Sequence, residues 1–102
     1  MTRALAATFQ LSTTTPDTLS VSGVLSFETA AAVWHSLQLA LASGAIKYLD
    51  LADVQRGDSA GLACVVASVA AASEHGRTLQ VLHVPAGMQA LAQVCEVDRL
   101  IV

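Results

Sequence analysis

The sequence predicts an α/β fold of the α+β type: a mixed β-sheet that opens with an N-terminal hairpin and carries about three helices, packed mainly on one side. Three observations lead there. Leu19 and Val21 alternate with Ser20 and Ser22 behind a Pro16-Asp17 turn, the period-two pattern of a strand with one buried face. After residue 26, helical and extended patterns alternate along the chain, as they do in a sheet joined by crossover helices. Each helical stretch also gathers its apolar residues on one stripe, so each has one face to bury against a sheet.

The elements follow in order. Phe9 and Leu11 pair with Leu19, Val21, Val24 and Leu25 as the hairpin, with residues 13–17 between them. Ser26 can cap the next helix, Glu28 suits the positive end of its dipole, and Ser43-Gly44 ends it. Val33, Trp34, Leu37 and Leu41 should face the sheet, leaving Ala31, Ala32, His35, Gln38, Leu39 and Ala42 outside. Ile46–Leu51 reads as a central strand, nearly apolar on both faces, and Asp53–Gly57 as a polar turn. The helix from Ser59 to about His75 puts Leu62, Val65, Val66 and Val69 inward, with Ala60, Ala63, Cys64, Ala67, Ser68, Ala70 and Ala71 on its other side. Gly76 closes it. Leu79–Val84 is a further strand, and Pro85 opens a helix to about Cys95 with Met88, Leu91, Ala92 and Cys95 on one stripe. Leu100–Val102 suits a last short edge strand.

At 102 residues the chain is expected to be one domain, residues 1–102, burying roughly two-thirds of its unfolded surface. It is 54% hydrophobic and only 13% charged, against a usual charged share of about 25%. A net charge of -3 with five Lys and Arg offers no basic patch for a nucleic acid or an anionic membrane surface. No stretch reaches the roughly 20 apolar residues of a membrane span, and the N-terminus shows neither an apolar run nor a cleavage site. A cytoplasmic soluble domain is therefore expected, with Cys64 and Cys95 as buried free thiols and not a disulfide.

The rest is organised around Tyr48–Leu62. Gly57 has the freedom a tight turn needs, and Asp58 or Ser59 can accept a bond from a free helical N–H. Asp58-Ser59-Ala60-Gly61-Leu62, following the Leu49-Asp50-Leu51 strand, resembles the central signature of STAS domains. That family includes anti-sigma-factor antagonists, sulfate-transporter tails and the MlaB-type subunit of a phospholipid-asymmetry ABC transporter. Ser22-Gly23-Val24-Leu25 with Trp34 downstream resembles the transporter-subunit branch, and residues 98–102 resemble the family's final strand. The resemblance implies the STAS fold, with phosphorylation or partner contact centred on Ser59. Anti-sigma antagonists typically have a second Ser or Thr where this chain has Ala60, which favours partner contact.

The resemblance thus implies a non-enzymatic STAS subunit that binds the ATPase of a phospholipid-trafficking ABC transporter, peripheral to the inner membrane. The alternative is an anti-sigma-factor antagonist phosphorylated on Ser59 by a partner serine kinase. Enzymatic readings find little support. There is no Gly-x-Ser-x-Gly elbow and no phosphate-cradling loop. Asp50, Asp53 and Asp58 fall on a strand, a turn and a helix cap, which argues against a shared cation. His35, His75 and His83 lack tight ligand spacing with the cysteines. No cofactor or metal is expected.

One feature exceeds what a globular domain needs. Between Thr29 and Ile46 there is no Asp, Glu, Lys or Arg, and the second helix has none before Glu74. Alanine-rich packing between these two neighbouring helices would account for it; the other reading is an exposed small-residue surface that lets a partner approach closely. The expected contact residues are Ser59, Ala60, Ala63 and Ala67, with Asp53, Arg56 and Asp58 as a charged rim.

Overall fold

The structure, a computed structural model, describes residues 8–101. Two antiparallel strands, β1 (Phe9–Ser12) and β2 (Thr18–Leu25), form the hairpin. Then follow α1 (Ala30–Leu41), β3 (Tyr48–Gly57), α2 (Ser59–Glu74), β4 (Gln80–Leu82), α3 (Ala86–Val94) and a 3-10 turn at Asp98–Ile101. The sheet order is β1-β2-β3-β4, with β3 parallel to both β2 and β4. This is the mixed sheet with three helices that the alternation predicts.

The core forms on one side of the sheet. Leu19 and Val81 flank Leu49 in register, and Val21, Leu25, Leu51 and Val54 extend that layer. Val33 and Leu37 of α1, Leu62 and Val65 of α2, and Met88 and Ala92 of α3 close over it. The alternate row, Ser12, Ser20 and Asp50, lies on the opposite face, where polar side chains suit water. There the Asp50 carboxylate accepts the Ala52 N–H at 2.9 Å and meets His83 Nδ1 at 3.0 Å. Partial burial pushes the Asp50 carboxyl up, but those partners outweigh it and hold it below its ordinary value.

Several expectations are corrected. Residues 53–57 are not a turn: β3 runs on to Gly57 because β2, itself eight residues long, supplies partners as far as Leu25 opposite Gly57. The strand begins at Tyr48, leaving Ile46 and Lys47 outside it. β4 is shorter than predicted, since His83 leaves it with a φ of 55°. Ser26 does not cap α1, and Glu28 precedes the helix. Thr29 stands at the cap, its hydroxyl turned back to Val24 O at 2.9 Å.

Trp34 is not core: it is 37% exposed, because the buried stripe of α1 runs through Val33 and Leu37 and leaves the neighbouring position outside. Cys64 and Ser68 are buried, not outward, because α1 lies beside that flank of α2. The Cys64 thiol reaches Ala30 O, and the Ser68 hydroxyl donates to Cys64 O at 2.8 Å. Cys95 is exposed beyond the end of α3. Asp98–Ile101 is a 3-10 turn with Ile101 buried under α2 and α3, not an edge strand. Val102 and the N-terminal segment read for a leader lie outside the described residues. No helix among the described residues is long and apolar enough to cross a membrane.

Candidate functional site

The site forms where β2 and β3 end and α2 begins. Asp58 is the N-cap of α2, its backbone extended and its Oδ1 accepting the N–H groups of Ala60 at 2.9 Å and Gly61 at 3.1 Å. Its Oδ2 accepts the Phe27 N–H at 3.0 Å, and its own N–H donates to Leu25 O at 3.1 Å. One carboxylate thereby joins the loop after β2 to the start of α2. The Phe27 N–H, with Gly61 and Ala60 behind it and the nearby Arg56 charge adding to them, holds the Asp58 carboxyl below its ordinary value.

Because capping falls to Asp58, Ser59 is the first residue of α2 and stands exposed. Gly61 brings the helix against the end of β2, where a Cβ would lie 2.1 Å from Leu25 O. Gly57 makes a comparable close approach to the Met88 methyl. Arg56 reaches Glu28 at 3.9 Å with both side chains in solvent, a pair that orients more than it stabilises. Burial, and then the negative Asp58, push the Cys64 thiol above its ordinary value.

The lowered Asp58 value sets a pH dependence. A carboxylate that binds its proton less tightly folded than unfolded adds stability above the unfolded value of about 3.9, and that stability is lost as pH falls through the folded value. Asp58→Asn should therefore lower Tm at pH 7, and the gap to the unaltered protein should shrink as pH drops below about 4. Thermal melts across that range check this; a gap independent of pH would count against the carboxylate's role.

Of the residues expected at the site, Arg56, Asp58, Ser59 and Ala60 gather at this junction, and Ala63 lies exposed on the next turn of α2. Ala67 is half-buried a turn further on. Asp53 stands apart, exposed on β3 opposite Ser22 and three strand residues, about 10 Å of extended chain, before Arg56.

Two apolar side chains join this surface that the helical stripes did not place there: Phe27, 83% exposed beside Asp58, and Trp34; Leu39, expected outside, is 66% exposed on α1. The available signal for Phe27 was its place between two strong turn and cap residues, Ser26 and Glu28, with no helical or strand partner in sequence. α1 and α2 run side by side in one direction: Ala30 meets Cys64, and further on Gln38 and Leu41 line one cleft with Ser68 and Ala71. Their outward sides, Ala31, Trp34, His35 and Leu39 with Ser59, Ala63 and Ala70, form an uncharged flank that begins at the Asp58 junction.

The family model described as "Mlab, STAS domain" matches residues 3–102. The chain belongs to the MlaB-type STAS family. STAS domains are protein-interaction domains, and this one shares its fold with anti-sigma factor antagonists. The chain superimposes on an anti-sigma factor antagonist from Mycobacterium paratuberculosis with a TM-score of 0.73 at 19% identity, covering 92% of this chain and 83% of that one. It superimposes on the phosphorylated form of the Bacillus cell fate determinant SpoIIAA with a TM-score of 0.67 at 17% identity, covering 93% of this chain and 89% of that one. For the anti-sigma factor antagonist SpoIIAA in its unphosphorylated form the values are 0.63 and 19%, over 84% and 82%. No curated protein sequence matches this STAS domain.

Proposed function

We propose that this STAS domain, a single domain over residues 1–102, is a non-enzymatic cytoplasmic subunit. It binds and regulates the ATPase of a phospholipid-trafficking ABC transporter at the inner membrane. The match of nearly the whole chain to the MlaB family carries this reading. The uncharged flank of α1 and α2 supports it: Ala63 and Ala70 permit close approach, and Phe27 and Trp34 are the exposed aromatic type that anchors interfaces. The ATPase docks on that flank with Ser59 at its edge, and Arg56, Asp58 and Asp53 fix its orientation by charge.

A second reading, an anti-sigma-factor antagonist switched by a serine kinase at Ser59, is supported by the likeness in fold to SpoIIAA, which exists in a phosphorylated form. The intact mass of the protein purified from its own host separates the two. The transporter reading expects an unmodified Ser59 and a co-purifying ATPase whose turnover changes when this subunit is stripped away. A stoichiometric phosphoserine at Ser59 would transfer the assignment to the second reading.

A further inference from the structure

The far end of α2, a helix of sixteen residues and about 24 Å that starts at Ser59, borders a second opening. Between the last turns of α1 and α2 lies a cleft of about 300 Å³ with walls of Leu41, Ile46, Ala71 and Leu79. That is at the lower bound of the roughly 300–1,000 Å³ typical of small-molecule sites. A hollow of about 390 Å³ adjoins it, sharing Ile46 and Arg77 and adding Lys47 and Tyr48.

The polar groups of this opening divide into spent and unspent. Ser68 donates to Cys64 O at 2.8 Å, and His75 Nδ1 lies 2.8 Å from Ala71 O, so both are engaged within α2. The buried Gln38 Nε2 has no acceptor among the described residues. Arg77 reaches only Leu41 O, at a long 3.4 Å. Among the described residues the one Lys or Arg in contact with a carboxylate is Arg56, with Glu28, so neither Arg77 nor Lys47 has a carboxylate partner there.

The Arg77 guanidinium, the Lys47 ammonium and Gln38 Nε2 are donors, two of them cationic, in a chain of net charge -3 with only five Lys and Arg. A molecule that completes them must bring acceptors, and the walls require that the rest of it be apolar. α1 and α2 both end here, and their carbonyl ends disfavour an anion. Arg77, lying against Gly44 just past α1, offsets that field.

We propose that this opening binds an amphiphilic anion. A carboxylate or phosphate monoester sits on Arg77 and Lys47, and a short apolar chain lies between α1 and α2 against Leu41, Ile46 and Leu79. This site is separate from the Ser59 junction and does not depend on the transporter reading.

Amide spectra of the full chain, titrated with octanoate and octyl phosphate, test it. Acetate and inorganic phosphate serve as heads without tails, and octanol as a tail without a head. Both amphiphiles should shift residues 41–47 and 71–77, while heads or tail alone bind far more weakly. Arg77→Gln should weaken octyl phosphate about tenfold or more, as expected for a lost charge-assisted hydrogen bond. Lys47→Gln, at an exposed position outside the strand, should weaken it severalfold and keeps the test open if Arg77→Gln fails to fold. Equal binding of octanol and octanoate would reduce the cleft to an apolar dent. Inorganic phosphate binding as tightly as octyl phosphate would remove the tail site. Shifts elsewhere, or none at millimolar amphiphile, would overturn the proposal.

Discussion

Gly61→Ala should destabilise the domain by about 3 kcal/mol, lowering Tm by roughly 12–24 °C for a chain of this size. Helix propensity alone gives the opposite sign, since replacing a helical glycine by alanine gains roughly 0.5–1 kcal/mol. Packing decides it: the added carbon would lie 2.1 Å from Leu25 O and 2.8 Å from Leu25 Cβ, and the first obstacle is backbone that cannot swing aside. α2 would have to lift from the end of β2, pulling against the Asp58 bonds to Ala60 and Gly61. Gly87→Ala is the matched control. In α3 an added carbon there meets nothing within 4 Å, so Tm should hold or rise slightly. Melts of the two variants check the contrast, and a stable Gly61→Ala would show that the close approach is not needed.

Phe27→Ala and Ala63→Glu should each leave the fold intact and each weaken binding to the ATPase by about 2 kcal/mol, or thirtyfold, as loss of an interface anchor does. Both side chains are exposed, so their removal or enlargement should change stability by no more than about 0.5 kcal/mol. At Phe27 the loss is of apolar area; at Ala63 it is the desolvation of a new carboxylate on an uncharged helical flank. Titration of the purified ATPase with each variant, alongside melts, gives both quantities. Normal binding by two folded variants would move the docking surface off this flank, and unfolding of Ala63→Glu would show that the position is internal.

The residues of α2 were the most legible part of the chain. Its start at Ser59 is written in Asp58, whose short carboxylate can cap, and in the break of apolar periodicity at Gly57. Its partners were not legible. Cys64 and Ser68 face α1, and a helical wheel drawn for one helix against a sheet cannot register a second helix alongside. The continuation of β3 through Asp53 and Arg56 was hidden for a similar reason. Those residues are polar because that side of the strand meets water, while the pairing that extends them comes from β2, remote in sequence. Phe27 escaped because it falls between the hairpin and the first helix, in no periodic pattern, and the carboxylate that accepts its N–H lies thirty-one positions away, which no local pattern records. Residues 100–102 read as a strand because apolar residues suit either element; Leu100 and Ile101 lie instead in a 3-10 turn that buries Ile101.

The parallel pairing of β2 with β3 also constrains the order in which the chain can fold. The β1–β2 hairpin closes over residues 13–17, whereas the β2–β3 ladder cannot begin until residues 26–47 have been drawn back across the sheet. The entropy of closing that longer loop must be met before the ladder returns anything, so the rate-limiting ensemble should contain β2, α1 and β3 together. Val33 and Leu37, buried between α1 and those strands, would then slow refolding when truncated, whereas truncations in α3 would mainly hasten unfolding. Asp58 closes the same unit from its far end through the Phe27 N–H. The α1 half of the docking flank would thus mature in the first folding step, before α3 is in place.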